Sequence, residues 1–99
     1  MLDFSKRKKK YWDVALHNGT KLQIPCPTMD VYDSMVEISK NPYSVDYDQL
    51  KEAAATVMKS NRQGTEITDE DMRLFDLDDL KEFFIEYGKW VKQVLSDPN

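Results

Sequence analysis

The feature that most constrains this chain lies near its end. Leu77, Leu80, Phe84, Tyr87, Val91 and Val94 recur at steps of 3, 4, 3, 4 and 3 residues. That spacing holds all six on one side of a 3.6-residue turn, which specifies an amphipathic helix of about 27 Å whose apolar stripe must be covered. Asp76 is placed to cap its start, and Ser96-Asp97-Pro98 to end it. The cover must come from within 99 residues, the size of one domain.

Upstream the period changes. Trp12, Val14 and Leu16 alternate with Asp13, Ala15 and His17, the pattern of a half-buried strand, and Leu22 and Ile24 continue it up to Pro25. Asn18-Gly19 between them is a hairpin signal. A two-residue loop would pair Leu16 with Lys21 and Val14 with Gln23, placing polar residues on the apolar face. Pairing Leu16 with Leu22, Val14 with Ile24 and Trp12 with Cys26 needs an odd loop. The expectation is a bulged Asn18-Gly19-Thr20 loop with Gly19 at positive φ.

Three helical segments complete the order. Thr28 is placed to cap a helix with Met29, Tyr32, Met35, Val36 and Ser39 at helical spacing, stopped by Asn41-Pro42. A second helix opens near Ser44 to Asp46, with Asp46 and Gln49 at capping-box spacing. Its stripe is Tyr47, Leu50, Ala54, Val57, Met58 and Asn61, and Gly64 follows as a left-handed cap. Thr68 with Asp69, Glu70 and Asp71 starts a short helical turn carrying Met72 and Phe75. The expected fold class is α+β, an N-terminal two-stranded β-hairpin packed on three main α-helices. Residues 1–10 form a basic, flexible leader and 11–97 a single domain. An isolated hairpin is marginal in water, so the Trp12/Val14/Leu16 face must lie on the helices.

Charge is unevenly spread. Lys6, Arg7, Lys8, Lys9 and Lys10 face only Asp3 within the leader, while the rest of the chain holds 9 basic against 17 acidic residues. So acidic a body repels phosphate backbones and disfavours nucleic acid as a partner, although the basic run by itself suits a polyanion or an anionic membrane. The start turns basic where a secretory signal would need a hydrophobic run, and no apolar stretch reaches membrane-spanning length. With one cysteine there is no intramolecular disulfide. The expected compartment is the reducing cytoplasm.

The residues offer little chemistry. His17 lies at the hairpin turn without a positioned partner in sequence, and Cys26 has no neighbouring histidine and reads as a small hydrophobe under the hairpin. One Cys and one His make no zinc set, and three scattered glycines make no phosphate loop. The sixth residue counted from Asp69 is Leu74 and from Asp71 is Asp76, so the glycine of a calcium loop is missing. Asp33-Ser34-Met35 resembles the phosphopantetheine site of acyl carrier proteins, but Ser34 falls inside a helix already begun at Thr28. No catalytic residue, cofactor, metal or small-molecule substrate is expected. On the last helix Phe83 and Trp90 widen the apolar sector, and with Tyr87 and Val94 they form a second line. Either the helix is central with the hairpin on its other side, or Phe83, Tyr87, Trp90 and Val94 form a partner-binding or self-association face.

Three segments carry a family resemblance: Tyr11 to Pro27 (YWDVALHNGTKLQIPCP), Ala54 to Gly64 (AATVMKSNRQG) and Phe75 to Val91 (FDLDDLKEFFIEYGKWV). In order and spacing they resemble the tail assembly chaperones of long-tailed, non-contractile bacteriophages and prophages. One departure lies in Met58-Lys59-Ser60-Asn61-Arg62-Gln63-Gly64, where Lys59 replaces the family's first asparagine. The resemblance implies a non-enzymatic virion-assembly role in the bacterial cytoplasm: binding the tape-measure protein, helping recruit the tail-tube protein, and forming a homo-oligomer. The contrasting expectation is an acidic regulatory or inhibitory protein that mimics nucleic acid. Nine acids against Arg73 and Lys81 between 66 and 86 motivate it.

Overall fold

The computed structural model describes residues 1–40 and 46–96, without the side chains of Val36, Glu37, Ser39 and Lys40. Strand β1 (Tyr11–Ala15) pairs antiparallel with β2 (Lys21–Pro25), followed by α1 (Met29–Lys40), α2 (Tyr47–Lys59), the short α3 (Asp69–Arg73) and α4 (Leu77–Ser96). The fold is α+β. The readings of Val36, Ser39, Asn41-Pro42, Ser44 and Asp97-Pro98 lie outside the described residues.

The hairpin differs from its expected register by two residues. Val14 faces Leu22 and Trp12 faces Ile24, rather than Ile24 and Cys26. The loop has the expected three residues, but they are His17-Asn18-Gly19, closed by Leu16 N–H donating to Thr20 O at 2.8 Å and Gly19 N–H to Leu16 O at 2.9 Å. A three-residue hairpin loop needs its left-handed residue last, and Gly19 at φ +86° supplies it. Asn18 Oδ1 accepts from Thr20 N–H at 3.0 Å and closes the turn. A shift of two preserves the faces, so Leu22 and Ile24 are buried under the hairpin as the alternation requires. Cys26 does not lie beneath it but is exposed.

Helix boundaries follow their caps. At α2, Gln49 N–H donates to Asp46 Oδ1 (2.8 Å) and Asp46 N–H to Gln49 Oε1 (3.1 Å). Thr68 and Asp71 repeat the exchange at α3, and Asp76 and Asp79 at α4. Gly64 has positive φ, yet it is not the helix cap: α2 ends at Lys59, and Gly64 closes a turn onto Asn61 O.

The core lies between the hairpin, α2 and α4, with Ile24, Ala54, Met58 and Leu80 fully buried. Burying a large aliphatic side chain there stabilises the fold by about 2 kcal/mol. Two stripes are rotated from their expected positions. On α1, Val31 and Met35 pack on the core while Met29 and Tyr32 are exposed. On α4 the buried line is Leu80, Phe83 and Tyr87, and Leu77 is exposed. The reason is shared cover: α4 is packed by α2 on one side and the hairpin on the other, which turns its buried arc toward Phe83.

Candidate functional site

Four aromatic side chains meet where the hairpin crosses α4. Period-2 alternation aims Trp12 at the helix, and the steps from Phe83 to Tyr87 to Trp90 bring those three onto one face. The Trp12 ring lies 5.4 Å from Phe83, 5.4 Å from Tyr87 and 6.4 Å from Trp90, the last two contacts stacked at 25° and 21°. Tyr87 is 1% exposed and Phe83 7%. Burial, with Cys26 as a lesser electrostatic contributor, pushes the Tyr87 phenol up to about 12.

This divides the expected partner-binding set. Phe83 and Tyr87 are core residues held under Trp12, so the reading of them as a surface is corrected: the hairpin already occupies that arc of α4. Trp90 and Val94 remain partly accessible, and Leu95 beside them is 75% exposed. Of the expected set, the part that stays accessible is in the last two turns of α4, where Leu95 extends it; Leu77 and Ile85 are exposed singly on earlier turns. Leu95 escaped the sequence reading because it stands outside the 3-4 stripe; its adjacency to Val94 was the only signal.

A second junction ties the hairpin turn to the start of α4. His17 Nε2 donates to Asp79 Oδ2 at 3.0 Å, and the His17 ring meets Phe75 edge-on at 4.6 Å. Asp79 Oδ2 also accepts from the Asp76 backbone N–H, and this bond, ahead of His17, holds the Asp79 carboxyl below its ordinary range. Asn18 Nδ2 donates to Asp71 Oδ1 at 3.4 Å. His17, expected to be an idle turn residue, is exposed but serves as a tether. The third junction is Asn61, buried at the end of α2. Its Nδ2 donates to Met58 O and Thr65 O, both at 2.9 Å, and its Oδ1 accepts from Thr65 N–H at 2.8 Å. It shapes the loop whose Arg62 N–H donates to Gln23 O at 2.8 Å.

Among the described residues no group of three His, Cys, Asp or Glu side chains could hold a metal ion. Nor is any described helix long and apolar enough to cross a membrane. No protein-family model, curated protein or solved structure matches the chain.

Proposed function

We propose that this chain is a non-enzymatic protein-binding module of the phage tail-assembly-chaperone type, working in the bacterial cytoplasm. Its client on this reading is the tape-measure protein, a long and aggregation-prone helical chain, and it helps bring tail-tube subunits to that client. One observation carries the binding role: the end of α4 keeps Trp90, Val94 and Leu95 adjacent and partly or largely uncovered, whereas Phe83 and Tyr87 one and two turns earlier lie under Trp12. An apolar strip with a tryptophan at its root, on a body of net negative charge, suits holding a hydrophobic helix while staying soluble. The family assignment rests on the three resembling segments.

The test has two stages. Sequencing the DNA around the gene should reveal a slippery run near the stop codon, an overlapping frame, and then a very long helical reading frame. The product of that frame, purified in denaturant and diluted with this protein, should stay soluble, with little response to salt. Absence of such a frame, or aggregation unchanged by the protein, overturns the reading. A complex that weakens steeply with salt would favour the acidic inhibitor instead, for which the nine acids between 66 and 86 provide the surface.

A further inference from the structure

The two edges of the hairpin are treated differently. The Leu16–Thr20 hydrogen bond sets the ladder, so the backbone groups of Trp12, Val14, Leu22 and Ile24 turn toward each other while those of Asp13, Ala15 and Gln23 turn outward. On β2 that outward pair is used. Arg62 N–H donates to Gln23 O, and Gln23 N–H donates to Gln63 Oε1 at 3.0 Å. On β1, among the described residues, nothing meets the outward N–H and C=O of Asp13 and Ala15. An open edge of this kind templates another strand.

Beside it runs a groove of about 300 Å³, floored by Trp12, Leu16 and Phe83 and walled by Asp79, Glu82 and Glu86 of α4. We infer that this groove takes the Lys6–Lys9 segment of a second copy of the chain as an added strand. The charges are complementary: strand alternation turns two of the four consecutive cations toward the wall, where Glu82 stands beside Asp79 and Glu86, which also hold His17 and Lys89, on a body of 9 basic and 17 acidic residues. The lengths agree too. From Asp79 to Glu86 is about 10 Å along a helix, and four residues of strand cover about 10 Å. Lysine stems over the Trp12 and Phe83 rings would add apolar and cation–π contact.

The segment is exposed in its own copy and has no regular structure after Lys6. A return within one chain fits poorly. It would spend Lys9 and Lys10 on the turn and bring Lys6 only as far as Asp13, short of Ala15. The residues before Lys6 are held in a turn, with Lys6 N–H donating to Asp3 O at 3.1 Å.

Sedimentation velocity of the full chain at low and high salt tests the inference. The wild type should self-associate at low salt and dissociate at high salt. Reversing the leader (K6E, R7E, K8E and K9E together) or the wall (E82K with E86K) should each weaken association about tenfold or more. Mixing these two variants should restore a heterocomplex. A15P removes one outward N–H from an edge strand that tolerates proline and should weaken association equally, with circular dichroism unchanged. Should A15P unfold, the charge-swap mixture still decides. A wild type that is monomeric throughout, or association that survives both charge reversals, overturns the inference. Client binding at Trp90 to Leu95 is untouched by these variants, so the two proposals fail separately.

Discussion

Trp12 in the first strand and Tyr87 in the last helix stack with ring centroids 5.4 Å apart and 25° between their planes. Seventy-five residues separate them, and this contact converts a hairpin that could not stand alone into the cover of α4. Trp12 is the hub, since Phe83 and Trp90 meet the same ring.

Trp12→Ala should therefore destabilise the fold by about 3 kcal/mol, near the lower end for large-to-small aromatic substitutions because Trp12 is only partly buried. Trp90→Ala should cost about 1 kcal/mol and leave far-UV helicity intact, while weakening client association. Urea titration followed by circular dichroism measures both. Equal losses would place Trp90 in the core and remove it from the binding surface.

Asn61→Ala leaves three backbone groups in search of partners and should cost about 2 kcal/mol. Asn61→Asp keeps the acceptor for Thr65 N–H but loses both donated bonds, and should be no better. Thermal unfolding of both variants checks this. Hydrogen exchange at Gln23 should also accelerate, because the loop that Asn61 shapes covers the β2 edge.

Gly19→Ala should cost about 1 kcal/mol through its left-handed backbone, with no clash. Gly88→Ala should do the opposite. Gly88 lies inside α4 without positive φ, and an added Cβ meets nothing within 4 Å. The substitution should stabilise the helix by about 0.5 kcal/mol. Paired melting curves would show the two glycines shifting in opposite directions.

Tyr87 and Asp79 each contribute to how stability depends on pH. Tyr87 titrates at about 12 when folded against 10.0 ordinarily, so its neutral form is favoured by folding. That contribution is complete below pH 10 and is lost as pH rises toward 12. Tyr87→Phe should flatten the alkaline end of the stability curve. The Asp79 carboxyl is lowered from 3.8, chiefly by the Asp76 N–H and then by His17, so its contribution is present above pH 3.8 and disappears as pH falls below it. Asp79→Asn should flatten the acid end. Unaltered slopes in these variants would contradict the two assignments.

Elements whose cause is local were legible from the residues. The capping exchanges at Asp46, Thr68 and Asp76 are satisfied within three residues, and the positive φ of Gly19 follows from its place in a short loop. Alternation in β1 and β2 marked the buried face of the hairpin. Register was less secure. A two-residue slip keeps every side chain on its own face, so hydrophobic pattern could not distinguish the alternatives, and loop geometry chose between them.

The order of elements, the N-terminal caps of α2, α3 and α4, the acidic body and the basic leader all follow from period, short-range hydrogen bonds and charge. The buried stripe of α2 was legible from its spacing, but the buried faces of α1 and α4 depend on how the elements pack. Periodicity defines an apolar arc on α4 but not the angle at which α2 and the hairpin share it, and their packing turned that arc from Leu77 and Phe84 toward Phe83. The same packing removed Phe83 and Tyr87 from the surface and left Trp90, Val94 and Leu95 there. It also set Asp79 beside His17 and left the β1 edge open beside an acidic helix. The hairpin's relationships with α4 join residues more than sixty positions apart, and no local preference specifies them.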